Sequence, residues 1–193
     1  MRKQNVILAV FLSFLMIAFL LIPQVNAKGP RVKIPAPVPQ TGQTTSYYPG
    51  DDGDWQMGVP WPDPRFTDLG DGTVRDNLTG LIWLQDTNCF GQQTWDAALD
   101  FCNNLKHGSC GLTDLSVIGD WRLPNRLEME SLLDFGRSGP ALPLEPPFVH
   151  YGSTYWTSTP VNPNVAWFMD AGGVMDATPT SVIWQVWPVR NAK

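Results

Sequence analysis

From Arg65 to Leu84 the chain alternates short apolar runs with turn residues, "RFTDLGDGTVRDNLTGLIWL". Gly70-Asp71-Gly72 and Asn77-Leu78-Thr79-Gly80 supply the turns, so the pattern predicts three strands, Phe66–Asp68, Thr73–Asp76 and Leu81–Leu84. The period then changes. In "QTWDAALDFCNNLKHG", Trp95, Ala98, Leu99, Cys102 and Leu105 recur at helical spacing. Thr94 suits the N-cap, Asp96 the first turn, and Gly108 the stop. A second helix is predicted in "GDWRLPNRLEMESLLDF". Residues 120–123 read as a strand with Trp121 and Leu123 on one face and Arg122 on the other. Pro124 ends it, because it disfavours an α conformation at Leu123. Asn125 and Glu128 then form a capping box, and Met129, Leu132 and Leu133 face inward.

The remainder is irregular or extended. Residues 136–153 hold "GPALPLEPPF" and predict a loop. Strands follow at 155–159, at 165–170 before Gly172-Gly173, and at 181–190. Strands, two helices, loops and strands again make an α+β pattern.

Two segments precede this domain, which spans 65–193. Residues 28–64 contain eight prolines and no periodicity, so they predict an extended arm. Tyr47, Tyr48, Trp55 and Trp61 are costly to leave in water, so part of the arm is expected to pack on the domain. Residues 1–27 have a basic start, a 17-residue apolar run at 6–22, and small residues Val25 and Ala27 before a cleavage point. This predicts a secretory signal peptide, with a retained anchor as the alternative. The expected location is outside the bacterial cytoplasm: extracellular, periplasmic or on the cell surface.

Composition narrows the partners. The sequence is 43% hydrophobic and only 16% charged, with 9 Trp, which suits a loop-rich domain packed on aromatics. It carries 13 basic and 18 acidic residues, a net charge of −5. Removing Arg2 and Lys3 with the leader deepens this to −7, as 11 basic residues then face 18 acidic ones. With no basic cluster, nucleic acid, anionic membrane surfaces and strongly sulfated polysaccharides are poor partners. No membrane insertion is expected after cleavage. A glycan or an envelope protein remains.

The candidate chemistry is sparse. Glu128 belongs to a helix cap, and Glu130 lies four residues after Arg126, an ordinary surface pair. Asp134, four after Glu130, reads as a mildly unfavourable like-charge neighbour. His107 falls in the last turn of the first helix, where a cation complements the dipole. His150 sits in a loop. No GxSxG, HExxH, P-loop or dinucleotide fingerprint occurs, so no catalytic residue and no organic cofactor is assigned. "DDGD" (Asp51, Asp52, Asp54) and "DLGDGTVRD" resemble fragments of calcium loops, and Asp68, Asp71 and Asp76 are the candidate calcium ligands. Asn77-Leu78-Thr79 matches a glycosylation sequon but reads more simply as a turn. Cys89, Cys102 and Cys110 allow one internal disulfide, and their spacing leaves all three pairings open. Trp83, Trp95, Trp121, Trp156, Trp167, Trp184 and Trp187 are expected mostly in the core. One or two aromatics exposed near 136–165 would stack on sugar rings.

Taken in order, "FTDLGDGTVRDNLTGLIWLQD", "TWDAALDFCNNL", "GDWRLPNRLEMESLLDF", "YWTST", "AWFMD" and "WPVR" resemble the DUF1566 family of bacterial exported proteins. This is also called the C-terminal domain family of the Legionella collagen-like protein. The resemblance covers residues 38–190 and implies a C-type lectin-like fold and a surface adhesion or recognition role. "RLP" before a capped helix also resembles the formylglycine-generating enzyme superfamily, whose paired cysteines have no counterpart here. The best-known member of the first family is an adhesin for sulfated polysaccharide, but this chain lacks a collagen-like repeat and is acidic. Many members carry a cysteine just before the final Val-Arg. Here that region is "WPVR", so the resemblance implies that Cys102 pairs elsewhere or stays free. The expected function is non-catalytic binding, with an accessory subunit of a surface assembly or an enzyme as alternatives.

Overall fold

The computed structural model describes residues 38–137, 139, 141–142 and 147–193. The expected leader, residues 28–37 of the arm and part of the 136–153 loop lie outside them. The described chain is α+β with a predominance of strand. It contains a short helix α1 (Asp52–Trp55), then β1 (Phe66–Asp68), β2 (Thr73–Asp76), β3 (Leu81–Leu84) and β4 (Gln92–Gln93). Helices α2 (Trp95–Asn104) and α3 (Arg126–Glu130) follow. The chain closes with β5 (Thr154–Asn162), β6 (Val165–Asp170), β7 (Met175–Pro179), β8 (Trp184–Gln185) and β9 (Val189–Asn191).

Two sheets result, one of four strands ordered β1-β2-β3-β9 and one of five ordered β4-β8-β5-β6-β7. Pairing is antiparallel except between β5 and β8, where Tyr155 sits opposite Gln185. The first three strands have the predicted bounds. The segment 181–190 is not one strand. Trp184–Gln185 joins the second sheet and Val189–Asn191 the first. Between them Val186 and Trp187 enter different core clusters, and Pro188, which has no N–H to donate, occupies the crossing.

The main core is built on Trp187. Its ring lies 5.3 Å from Trp83, 5.0 Å from Phe148 and 5.2 Å from Tyr155. Its indole Nε1 donates to Leu84 O at 2.9 Å, so a fully buried donor is satisfied across the strands. The second cluster seats Ala98 and Cys102 of α2 against Trp156, Ala166 and Val186. The predicted α2 stripe is therefore the buried one. Its end differs: the C-cap is Leu105, so His107 lies past the helix. There its Nδ1 accepts from Leu115 N at 3.4 Å. Thr94 has cap backbone geometry but makes no side-chain cap hydrogen bond.

The capping box of α3 is present: Glu128 N donates to Asn125 Oδ1 at 3.0 Å, and Asn125 N to Glu128 Oε2 at 2.8 Å. Glu128 does more than close the cap, since Arg122 donates to both its oxygens at 2.6 Å. Arg122 itself pairs backbone to backbone with Val189, so residues 120–123 make a single bridge rather than a strand. Trp121 and Leu123 are buried as predicted. The Arg126–Glu130 pair forms at 3.0 Å. The helix stops at Glu130, however, so Asp134 is no like-charge neighbour on its face. Asp134 pairs with Arg137 at 3.6 Å. Asn125→Ala is expected to lower the unfolding free energy by about 0.5–2 kcal/mol in a urea titration, because it orphans a helix N–H.

The described part of the arm packs on the domain through its own polar contacts. Phe135 N of the domain donates to Thr41 O at 2.9 Å, and within the arm Trp61 Nε1 donates to Gln40 O at 2.7 Å. Arg65 lies over the Trp61 ring at 4.2 Å. Tyr47 and Tyr48 depart from the expectation and stay in solvent, 82% and 76% exposed. The arm also contains helix α1, which its sequence does not announce. The N-cap Asp51 accepts from Tyr48, Asp54 and Tyr47 N–H groups, and these donors hold its carboxyl at about 2.

Candidate functional site

The turn Gly70-Asp71-Gly72 does more than reverse the chain. Gly72 has φ +83°, and a Cβ there would lie 2.7 Å from Gly111 O. Glycine thus lets the β1–β2 turn touch the 110–112 segment, and Thr113 N donates to Asp71 O at 2.8 Å. Cys110 of that segment is bonded to Cys89, which tethers it to the chain after β3. On the other side Val149 N donates to Gln85 O at 3.0 Å and Thr87 N to Val149 O at 3.1 Å.

These contacts enclose a surface cleft of about 470 Å³ lined by Asp68, Gly70, Gly72, Gln85, Asp86, Cys110, Gly111 and Val149. Its polar groups are ordered before any ligand arrives. Gln85 Nε2 donates to Asp68 Oδ2 at 2.9 Å and to Pro147 O at 3.0 Å. Gly70 N donates to Asp68 Oδ1 at 2.8 Å. Asp86 Oδ1 accepts from Asn88 N at 3.1 Å, and Asp86 Oδ2 meets His150 Nδ1 at 2.9 Å. His150, in the left-handed region with φ 57°, leaves 70% of its side chain in solvent. Tyr151, the next residue, is 41% exposed and donates its hydroxyl to Phe148 O at 2.8 Å.

The candidate calcium ligands do not converge. Asp68 lines the cleft, and Asp71 accepts from Thr73 within its own turn. Asp76 is fully buried and pairs with Arg65 at 3.0 Å. It also accepts from Leu78 N and Thr79 Oγ1 at 2.9 and 2.8 Å, which explains the sequon as a turn. Among the described residues no group of three or more His, Cys, Asp or Glu side chains is placed to hold a metal ion. Cys102 is the free cysteine, fully buried, and burial pushes its thiol far above the ordinary range. It is packing, not a nucleophile.

The aromatics are mostly core. Trp83, Trp121, Trp156 and Trp187 are fully buried, and Trp167 is partly buried with Arg126 over its ring at 4.1 Å. Near 136–165 the exposed large aromatics among the described residues are Phe135, at 57%, and Tyr151, at 41%. Asp86 and the pairing of His150 escaped the sequence because the partners are 64 residues apart. The available signal was Asp86 itself, a carboxylate two residues after the predicted strand Leu81–Leu84.

A disulfide-closed α+β domain with a preformed polar cleft is what these elements define. The chain belongs to the Lcl C-terminal domain family, which it matches over residues 72–190. No curated protein matches it. The disulfide and the family are consistent with an exported protein. Among the described residues no helix is long and apolar enough to cross a membrane.

Proposed function

We propose that the chain is a non-catalytic binding module of C-type lectin-like architecture, acting at the bacterial envelope, and that the Asp68–Asp86 cleft takes a hydroxyl-rich glycan. Membership of the Lcl C-terminal domain family supports a surface-associated, non-enzymatic role. The observation that carries the glycan reading is the cleft's lining. Asp68, Gln85 and Asp86 offer acceptors held by backbone and amide donors, and sugar hydroxyls are the donors they suit. Tyr151, two residues after the cleft-lining Val149 in sequence, is 41% exposed and is the candidate for stacking on a sugar ring. A binding rather than a catalytic role is supported by the sealed Cys102 thiol and by carboxylates that are already occupied by structural donors.

A glycan array probed with and without calcium, followed by calorimetry on any positive glycan, tests this. Asp86→Asn is expected to weaken that binding about tenfold with only a small fall in the thermal midpoint, since Asn keeps an oxygen for the Asn88 N–H and gives up one charged oxygen that faces the exposed His150. An array without signal in either condition, or an Asp86→Asn protein that binds like the parent, would count against the cleft.

A further inference from the structure

The polar side chains that line the Asp68–Asp86 cleft present acceptors and have no donors to spare. Asp68 Oδ1 takes one hydrogen, from Gly70 N, and Asp68 Oδ2 takes one from Gln85 Nε2. Asp86 Oδ1 takes one from Asn88 N, and Asp86 Oδ2 meets His150 Nδ1. A carboxylate oxygen has room for two donors, so each of these oxygens keeps a lone pair. Both hydrogens of the Gln85 amide are committed, to Asp68 Oδ2 at 2.9 Å and to Pro147 O at 3.0 Å. What Gln85 still presents is its carbonyl oxygen.

The charge of the lining has one sign. Asp68 and Asp86 both belong to it, and among the described residues no lysine or arginine does. Val149 is apolar, and the Cys110 sulfur is tied up in the disulfide, so neither adds a donor. His150 stands beside Asp86, but its Nδ1 is already engaged there. The whole chain adds to the bias with its net charge of −5, which draws cations toward the surface. A bare metal ion does not suit the place. Among the described residues no three His, Cys, Asp or Glu side chains converge on one point. A volume of about 470 Å³ is also that of a site for an organic ligand.

We infer that the sugar taken by this cleft is an amino sugar whose amine is free and protonated, a hexosamine in preference to its N-acetylated or acidic counterparts. An ammonium group brings three donors, no acceptor and a positive charge, which complements an acidic wall of acceptors. Its hydrogen bonds to Asp68 and Asp86 are charge-assisted and therefore among the strong ones. N-acetylation removes the charge, leaves a single donor and adds a carbonyl that would face other acceptors. A sulfate or uronate would bring like charge to the wall. A lysine side chain carries the same head group as the amino sugar. The sugar is favoured because the spare lone pairs of Asp68, Asp86 and Gln85 outnumber the hydrogens of one ammonium, and ring hydroxyls supply the further donors. The inference rests on the glycan reading of the cleft and adds the charge class of the ligand.

The test is calorimetry on the chain expressed with its own leader, at a pH that keeps the amines protonated. The probes are the chitosan tetrasaccharide, with free amines, the chitin tetrasaccharide, the same backbone N-acetylated, then cellotetraose and tetralysine. The chitosan tetrasaccharide is expected to bind about tenfold more tightly than either other sugar. Raising the ionic strength should remove most of that margin, because the cleft is open to solvent and its charges are screened. Asp68→Asn with Asp86→Asn should erase the margin in a protein that still melts cooperatively. If that variant does not fold, the salt series on the wild type decides. Equal binding of the chitosan and chitin tetrasaccharides overturns the inference and leaves the glycan reading standing. Binding of array glycans without binding of the chitosan tetrasaccharide does the same. A margin indifferent to salt, a margin that survives in the folded double variant, or tetralysine bound more tightly than the amino sugar also overturns it. An array and a probe set with no binding at all overturn both readings.

Discussion

Asp76→Ala is expected to lower the stability of the domain by about 3–5 kcal/mol, the largest single-residue effect outside the aromatic core. Asp76 is fully buried at the end of β2. It accepts from Arg65 Nε and Nη2 at 3.0 and 3.1 Å, from Leu78 N and from Thr79 Oγ1. Its loss would strand the Arg65 guanidinium, whose side chain is 8% exposed, without a counter-charge. It would also leave the turn after β2 without its acceptor. Arg65 reaches further, donating from Nη2 to Ser131 O at 2.6 Å, so the pair ties the first hairpin to the chain after α3. Urea denaturation with an unchanged m-value would read the loss as a drop in midpoint. A drop of less than about 1 kcal/mol would show that this pair behaves like a surface ion pair.

Removing the disulfide should cost almost as much and reach the cleft as well. Cys89 and Cys110 are 21 residues apart, and closing a loop of that length is worth about 3 kcal/mol through the unfolded state. For a chain of this size that corresponds to a fall of about 6–12 °C in the thermal midpoint. Cys89→Ser with Cys110→Ser is therefore expected to melt at the temperature of the reduced wild type. Cys110 lines the cleft, so the same variant should lose ligand affinity at temperatures where it is still folded. Equal melting of oxidised and reduced wild type would contradict the assignment. A non-reducing peptide map linking Cys102 to either partner would do so equally.

Local signals were legible in the sequence and long-range ones were not. The three strands of the first sheet announced themselves because turn chemistry flanks them on both sides. The capping box was readable because its partners lie three residues apart. Strand β7, with the sequence MDATP, has no strand-like run and exists because β6 offers it a ladder. Strand β4, Gln92–Gln93, is two residues long and ends just before the predicted N-cap Thr94, too short for any alternation to announce it. The 181–190 segment looked like one strand because its apolar content is continuous. That content is shared between two sheets, and only tertiary packing reveals the division. The disulfide was undecided among three cysteines until the Gly72–Gly111 approach brought Cys110 under the first hairpin. In the cleft, Asp68 was visible as a turn acid. The Asp86–His150 contact depends on a loop returning from the far side of both helices.

Strand β9 has a kinetic consequence. It lies beside β3, with Asn191 opposite Leu81, so the sheet begun by the first hairpin is completed by some of the last residues of the chain. Contacts of such high sequence separation form late, because the intervening polypeptide must first be brought together. Until β9 docks, β3 keeps an unpaired edge, so closure of the first sheet waits on the folding of the residues between them.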